Sequence, residues 1–143
     1  MLLLLPLNDV RIRSALPTDL APVKALLESE GLETEFKYHE FVVAENGSTI
    51  VGCARLKPLR DGTAELASVA VVKHHRAKGI GEAVVKKILA RAGSNVYALA
   101  LAPTFFEKQG FRRIDSVPAE LKSKAETHCV SKGFVSMAWT RPH

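Results

Sequence analysis

Glu65-Leu66-Ala67-Ser68-Val69-Ala70-Val71-Val72-Lys73-His74-His75-Arg76-Ala77-Lys78-Gly79-Ile80-Gly81-Glu82 is the stretch that decides the fold. Its first half is apolar and β-branched enough for a strand, and its second half opens a helix. Ile80, Val84 and Ile88, with Ala83 and Leu89, fall on one helical face, while Glu82, Lys86, Lys87 and Arg91 fall elsewhere. Gly93 is expected to close that helix. A strand that passes through a glycine-bearing loop straight into a helix gathers unpaired backbone N–H groups and the positive helix end at one spot. Gly79 and Gly81 let the backbone approach an anion, and Arg76 and Lys78 add charge, so the loop is expected to bind phosphate. It is neither the Gly-x-x-x-x-Gly-Lys-Ser/Thr of a P-loop nor the Gly-x-Gly-x-x-Gly of a dinucleotide fold.

Upstream, residues 10–15 alternate apolar and basic side chains at the period of a half-buried strand. Pro17, Thr18 and Asp19 then offer a turn and a helix cap before Leu20, Val23, Leu26 and Leu27, which recur at helical spacing up to Gly31. Residues 32–39 show no period. The runs 41–44 and 49–56 flank Asn46-Gly47, and a second hairpin turns at Asp61-Gly62 into residues 63–72. Three consecutive antiparallel strands follow from this. Downstream, residues 96–101 read as a buried strand, 103–109 as a short helix stopped by Gly110, and 111–114 and 134–140 as further strands. The sum is an α/β fold with a mixed sheet, early antiparallel strands, a βα crossover and helices on both faces.

Composition narrows the classes. The 143 residues are 47% apolar and 24% charged, the balance of one soluble domain. We read residues 10–143 as that domain and residues 1–9 as a leader, disordered or packed down, with a misassigned start codon as the alternative. The leucine-rich start is too short for a membrane span or a secretory signal. Lys and Arg number 20 against 15 Asp and Glu, but the resulting +5 is scattered. A scattered excess suits an anionic small ligand as readily as nucleic acid, and without a basic stripe no nucleic-acid partner is expected once a phosphate-bearing ligand accounts for the charge. Cys53 and Cys129 form no Cys-x-x-Cys, and His74 and His75 have no further ligands at metal spacing, so no disulfide framework and no metal are expected. A cytoplasmic, membrane-free protein fits these features.

Arg76-Ala77-Lys78-Gly79-Ile80-Gly81 after a strand resembles the Arg/Gln-x-x-Gly-x-Gly/Ala signature of the GNAT superfamily of acetyl-CoA-dependent N-acetyltransferases. Phe105-Phe106-Glu107-Lys108-Gln109-Gly110-Phe111 is similar to the family's second element, an aromatic pair before Glu-Lys-x-Gly-Phe. The resemblance spans roughly residues 10 to 115. It implies a V-shaped opening between the strands at 65–72 and 96–101. Pantetheine would bond there to the backbone of Val69, Ala70 and Val71. The pyrophosphate would sit on the N–H groups of Ala77, Lys78, Gly79, Ile80 and Gly81, beside Arg76, and acetyl-CoA would be the cosubstrate. Glu65-Leu66-Ala67-Ser68-Val69-Ala70-Val71, Leu101-Ala102-Pro103-Thr104-Phe105-Phe106 and Val117-Pro118-Ala119-Glu120-Leu121-Lys122 also resemble the amino-acid N-acetyltransferase branch, which includes N-acetylglutamate synthase. Two departures leave the acceptor open among amino-acid-like compounds, phosphinothricin- and arsenic-containing ones included. Residues 100–103 lack the synthase's Thr-Thr-Arg, and Val130-Ser131-Lys132 matches its Arg-x-Ser-Lys only in part.

An α-amino group with a pKa of roughly 8 must lose a proton before it attacks a thioester. Glu65, the only acidic residue on the strand beside the implied thioester, is the expected base; its alternative is an exposed strand-end carboxylate paired with a lysine. Many relatives protonate the departing thiolate with a tyrosine where this chain has Phe106, expected here in the core and cofactor wall. Ser68, Tyr97 or solvent then remain for that proton. Cys53 is expected to be a small buried residue, and His128 beside Cys129 to form no dyad. Lys122, Lys124, Ser131 and Lys132 either reach a substrate carboxylate or form a solvated face. The resemblance implies a small-molecule amine as partner and often a homodimer, with residues 134–139 pairing across subunits or closing their own sheet. The alternatives are a CoA-binding sensor without turnover and an acetyltransferase acting on protein lysines or N-termini.

Overall fold

Four apolar residues in a row, Phe41 to Ala44, are all fully buried, so this strand has core on both of its faces. The computed structural model describes residues 10–127 and 133–142. Seven strands form a mixed sheet in the order β1-β2-β3-β4-β5-β7-β6, built from β1 (Val10–Ser14), β2 (Phe41–Asn46), β3 (Thr49–Pro58), β4 (Ala64–Val71), β5 (Val96–Ala100), β6 (Arg112–Arg113) and β7 (Val135–Trp139). The helices are α1 (Leu20–Ser29), α2 (Ile80–Leu89), α3 (Pro103–Lys108) and α4 (Ala119–Ala125). The chain divides into two units: residues 10–55 with 68–91, and residues 56–67 with 92–142.

In the first unit β1 and β2 pair antiparallel, as do β2 and β3, with the β2–β3 hairpin turning at Gly47, whose φ of 65° calls for glycine. Val23, Leu26 and Leu27 of α1 pack with Phe41, Val43, Ile50, Cys53 and Ala70. Helix α2 packs on β1 and β2 and buries Ile80, Val84, Val85, Ile88 and Leu89. Its approach is close: a Cβ on Gly52 would lie 2.9 Å from Ile80 Cγ2 and 3.4 Å from the Ala70 carbonyl oxygen. Polar links tie the margins. Arg13 reaches Asp19 at 2.7 Å and Glu45 at 3.3 Å, and Arg55 meets Glu40 at 2.8 Å with both largely buried. Asp19 is the N-cap residue of α1, but its side chain makes no cap hydrogen bond there; its carboxylate accepts from Arg13 and from the Leu16 N–H.

In the second unit β5 alternates, with Val96, Ala98 and Ala100 buried and Tyr97 and Leu99 half-buried. β4 and β5 pair in parallel at Ala64↔Val96 and Glu65↔Tyr97. β7 runs antiparallel to β5 over five residue pairs and antiparallel to β6 at Arg112 and Arg113. Residues 135–139 thus pair within their own chain, one of the two arrangements the sequence left open. Leu121 and Ala125, one turn apart on α4, are buried. The sequence reading had no helix there, and α2 ends at Leu89 with Ala90 as its cap rather than running on to Gly93. No described helix is long and apolar enough to cross a membrane.

Candidate active site

The expected site residues divide between the units. Val69, Ala70, Val71 and the loop from Arg76 to Gly81 lie in the first, and Glu65 and Phe106 lie in the second.

The loop is built by backbone geometry. A short 3₁₀ turn over Lys73–His75 follows β4, with the His75 N–H donating to the Val72 carbonyl at 2.8 Å. Ala77 and Gly79 are both left-handed, with φ of 64° and 82°. Two left-handed residues with one between them turn the chain into the first turn of α2, whose N–H donors have no partner within the helix. Gly79 also caps α2 without any side-chain hydrogen bond, which leaves the first-turn donors for another acceptor. The Arg76 guanidinium, 47% exposed, donates through Nε to the Val71 carbonyl at 3.0 Å and through Nη2 to Glu30 at 2.7 Å. The motif arginine therefore binds the loop to the end of β4 and to the end of α1. His75 in turn meets Asn46 Nδ2 at 3.3 Å, which links the loop to the β2–β3 hairpin.

Within β4, Ser68 has a φ of 53°. A non-glycine residue in that region is strained by about 1–2 kcal/mol, and here it falls in the middle of a strand. The Ser68 carbonyl accepts a hydrogen bond from the Cys53 thiol at 3.4 Å. Burial pushes that thiol up to about 12, which removes Cys53 as a nucleophile. Cys53 is the small core residue the sequence suggested. His128, Cys129, Val130, Ser131 and Lys132, like residues 1–9, lie outside the described residues.

Glu65 is 2% exposed. Its Oε2 accepts from Lys124 Nζ at 2.6 Å, and its Oε1 is buried with no hydrogen-bond partner among the described residues. A buried carboxylate without a counter-charge is costly, and Lys124 supplies that charge. The lysine-paired alternative is thus present, yet the carboxylate is buried and not at a solvated strand end. Helix α4 makes the pair possible. Leu121 and Ala125 anchor its inner face, and Lys124 between them sends its stem the same way, its side chain 34% exposed. Glu65 and Lys124 are 59 positions apart, so no local pattern announces the pair. Tyr97, opposite Glu65 in the β4–β5 ladder, also lines a cavity of about 450 Å³ with Asn95, Arg112, Asp115, Ser116 and Thr140. Phe106 is buried edge-to-face against Phe105 at 5.2 Å and Phe111 at 5.5 Å.

Comparison with known proteins gives this geometry its context. An amino-acid acetyltransferase of Mycobacterium tuberculosis is 29% identical over 123 residues, covering 75% of this chain and 71% of that protein. A Neisseria gonorrhoeae N-acetylglutamate synthase solved with coenzyme A and N-acetyl-glutamate matches in fold with a TM-score of 0.80, at 22% identity over 94% of this chain; the chain spans 35% of its length. A Mycobacterium tuberculosis structure solved in complex with CoA has a TM-score of 0.77, at 25% identity over 92% of this chain and 99% of that one. The model of the acetyltransferase (GNAT) domain matches residues 37–113, more than half of the sequence, and takes in β2 through β6 with the loop between β4 and α2. On that match and that fold, the chain belongs to the GNAT family of acetyltransferases.

Proposed function

We propose that this chain moves acetyl from acetyl-CoA to the amine of a small amino acid or amino-acid-like compound, with Glu65 as the base. The observation that carries the reading is a buried carboxylate on β4 whose hydrogen-bond partner is an ammonium group. A carboxylate so placed is suited to take a proton from an amine at hydrogen-bond distance. The amino-acid acetyltransferase at 29% identity supports the acceptor class, and the CoA complex at 25% identity supports the cosubstrate.

The left-handed Ala77 and Gly79, with the uncapped start of α2, fit the pyrophosphate of acetyl-CoA. In this reading the N–H groups of Ala77 to Gly81 hold it, Arg76 and Lys78 add positive charge, and the backbone of Val69, Ala70 and Val71 bonds the pantetheine. When bound, acetyl-CoA supplies an activated acyl group. Glu65 takes the proton from the acceptor, and the departing sulfur is protonated by Ser68, Tyr97 or solvent, because the phenyl ring of Phe106 has no proton to give. A single acetyltransferase domain over residues 10–143 in the cytoplasm belongs to the same reading, as does a homodimer.

Thiol release from acetyl-CoA with a panel of free amino acids, with products confirmed by mass, tests it. Glu65→Gln is expected to lower kcat/KM on the order of a hundredfold or more while CoA affinity stays within about twofold of the wild-type value. CoA binding without turnover on amino acids, polyamines or peptides would replace this reading with a sensor.

A further inference from the structure

The Lys124 ammonium stands where an acceptor amine must stand. A base can deprotonate a nitrogen only within about 2.6–3.2 Å, and Lys124 Nζ lies 2.6 Å from Glu65 Oε2. Nucleophile and base within hydrogen-bond reach is the geometric signature of an activated nucleophile. Lys124 is also held there: Leu121 and Ala125 fix its helix face, and the side chain is two-thirds buried along its path to Glu65.

From this we infer that Lys124 is a self-acetylation site of the enzyme. The inference rests on Glu65 being the base. The ammonium gives a proton to Glu65, and the freed nitrogen lone pair forms the N–C bond with the acetyl carbonyl. The C–S bond breaks, and the sulfur leaves as thiolate. The nitrogen loses its second proton as the amide forms and the thiolate gains one, so the balance is one acetyl-lysine, one CoA thiol and one proton released from Glu65. No oxidant or further reactant enters. The product carries no charge, so Glu65 loses the counter-ion that its burial requires, and each molecule modified in this way is expected to lose activity toward external amines.

Lys122, two residues away on the same helix and exposed, is the internal control. The full chain is incubated with isotopically labelled acetyl-CoA, and the label at both lysines is followed by peptide mass spectrometry over a range of protein concentrations. The expected result is label on Lys124 at a rate independent of protein concentration and well ahead of Lys122, falling on the order of a hundredfold in Glu65→Gln. Equal labelling of the two lysines, or Lys124 labelling that survives Glu65→Gln, overturns the inference. Lys124→Arg keeps a cation beside Glu65 but offers no acetylatable amine, so a thermal melt close to wild type shows whether the pair still supports the fold. If Glu65→Gln fails to fold, the comparison rests on Lys124→Arg. Measured against each protein's own starting rate, that variant is expected to hold its rate through repeated cycles while the wild type declines as label accumulates, and a matching fractional decline in both overturns the inference. Thiol release on free amino acids, run in parallel, separates the two readings. Turnover lost in Glu65→Gln with no label on wild-type Lys124 sinks self-acetylation alone, whereas turnover kept in Glu65→Gln sinks the base assignment and self-acetylation with it.

Discussion

Asp19 and Cys53 carry charge states set by their surroundings, and each makes a prediction. Asp19 accepts hydrogen bonds from Arg13 and from the Leu16 N–H, and the Arg13 bond above all holds its carboxyl below the usual carboxylate range. A carboxyl whose folded value is depressed stabilises the fold above its unfolded value of about 4 and loses that contribution as pH falls through the folded value. Asp19→Asn is therefore expected to cost about 1–3 kcal/mol at neutral pH, with the gap to wild type narrowing in acid, as urea melts at pH 7 and at pH 3 would show. A constant gap would mean that the charge of Asp19 contributes nothing. Cys53 is the opposite case, a buried thiol pushed up to about 12. In a Cys129→Ser background it should resist thiol reagents at pH 8 until urea opens the fold, and prompt labelling of the native protein would contradict that burial. Some of this scale was readable in the sequence. Cys53 sits among apolar neighbours in a strand, and core was the natural expectation. A lysine partner for Glu65 was one of the readings, but that it is Lys124 was not readable, because the two come from separate elements and meet only through tertiary packing.

Among the elements, β4, its loop and α2 form the most demanding joint. The N–H groups of the loop hold their places only if the first turn of α2 stays seated on the sheet, and that seat is Gly52 against Ile80. Gly52→Ala sets a Cβ 2.9 Å from Ile80 Cγ2, so α2 must shift, at a cost of about 1–3 kcal/mol. Lower thermal stability and weaker CoA binding are expected together; a loss of stability with CoA affinity unchanged would show that the loop does not depend on that seat. The hairpins at Gly47 and Gly62 were legible because their glycines take the positive φ that such turns demand. Helix α4 was not legible, since seven residues with Glu120, Lys122 and Lys124 read as a charged, solvated segment and only Leu121 and Ala125 face inward.

For the whole molecule, a net charge of +5 favours an anionic cosubstrate. Acetyl-CoA at about 100 times its Kd should stabilise the fold by about 2.7 kcal/mol, and the thermal shift should shrink as salt screens the loop. No shift at millimolar acetyl-CoA would rule out the proposed cosubstrate. The general plan of the sheet followed from local period and turn residues, whereas the strand order did not, because β7 lies between β5 and β6 through pairings distant in sequence. That order bears on biosynthesis. A ribosome makes β5 and β6 before the strand that belongs between them, so both emerge with open backbone edges and neither can complete its ladder until residues 135–139 arrive. During that interval the nascent chain presents the exposed edges that chaperones cover and that neighbouring chains can pair with.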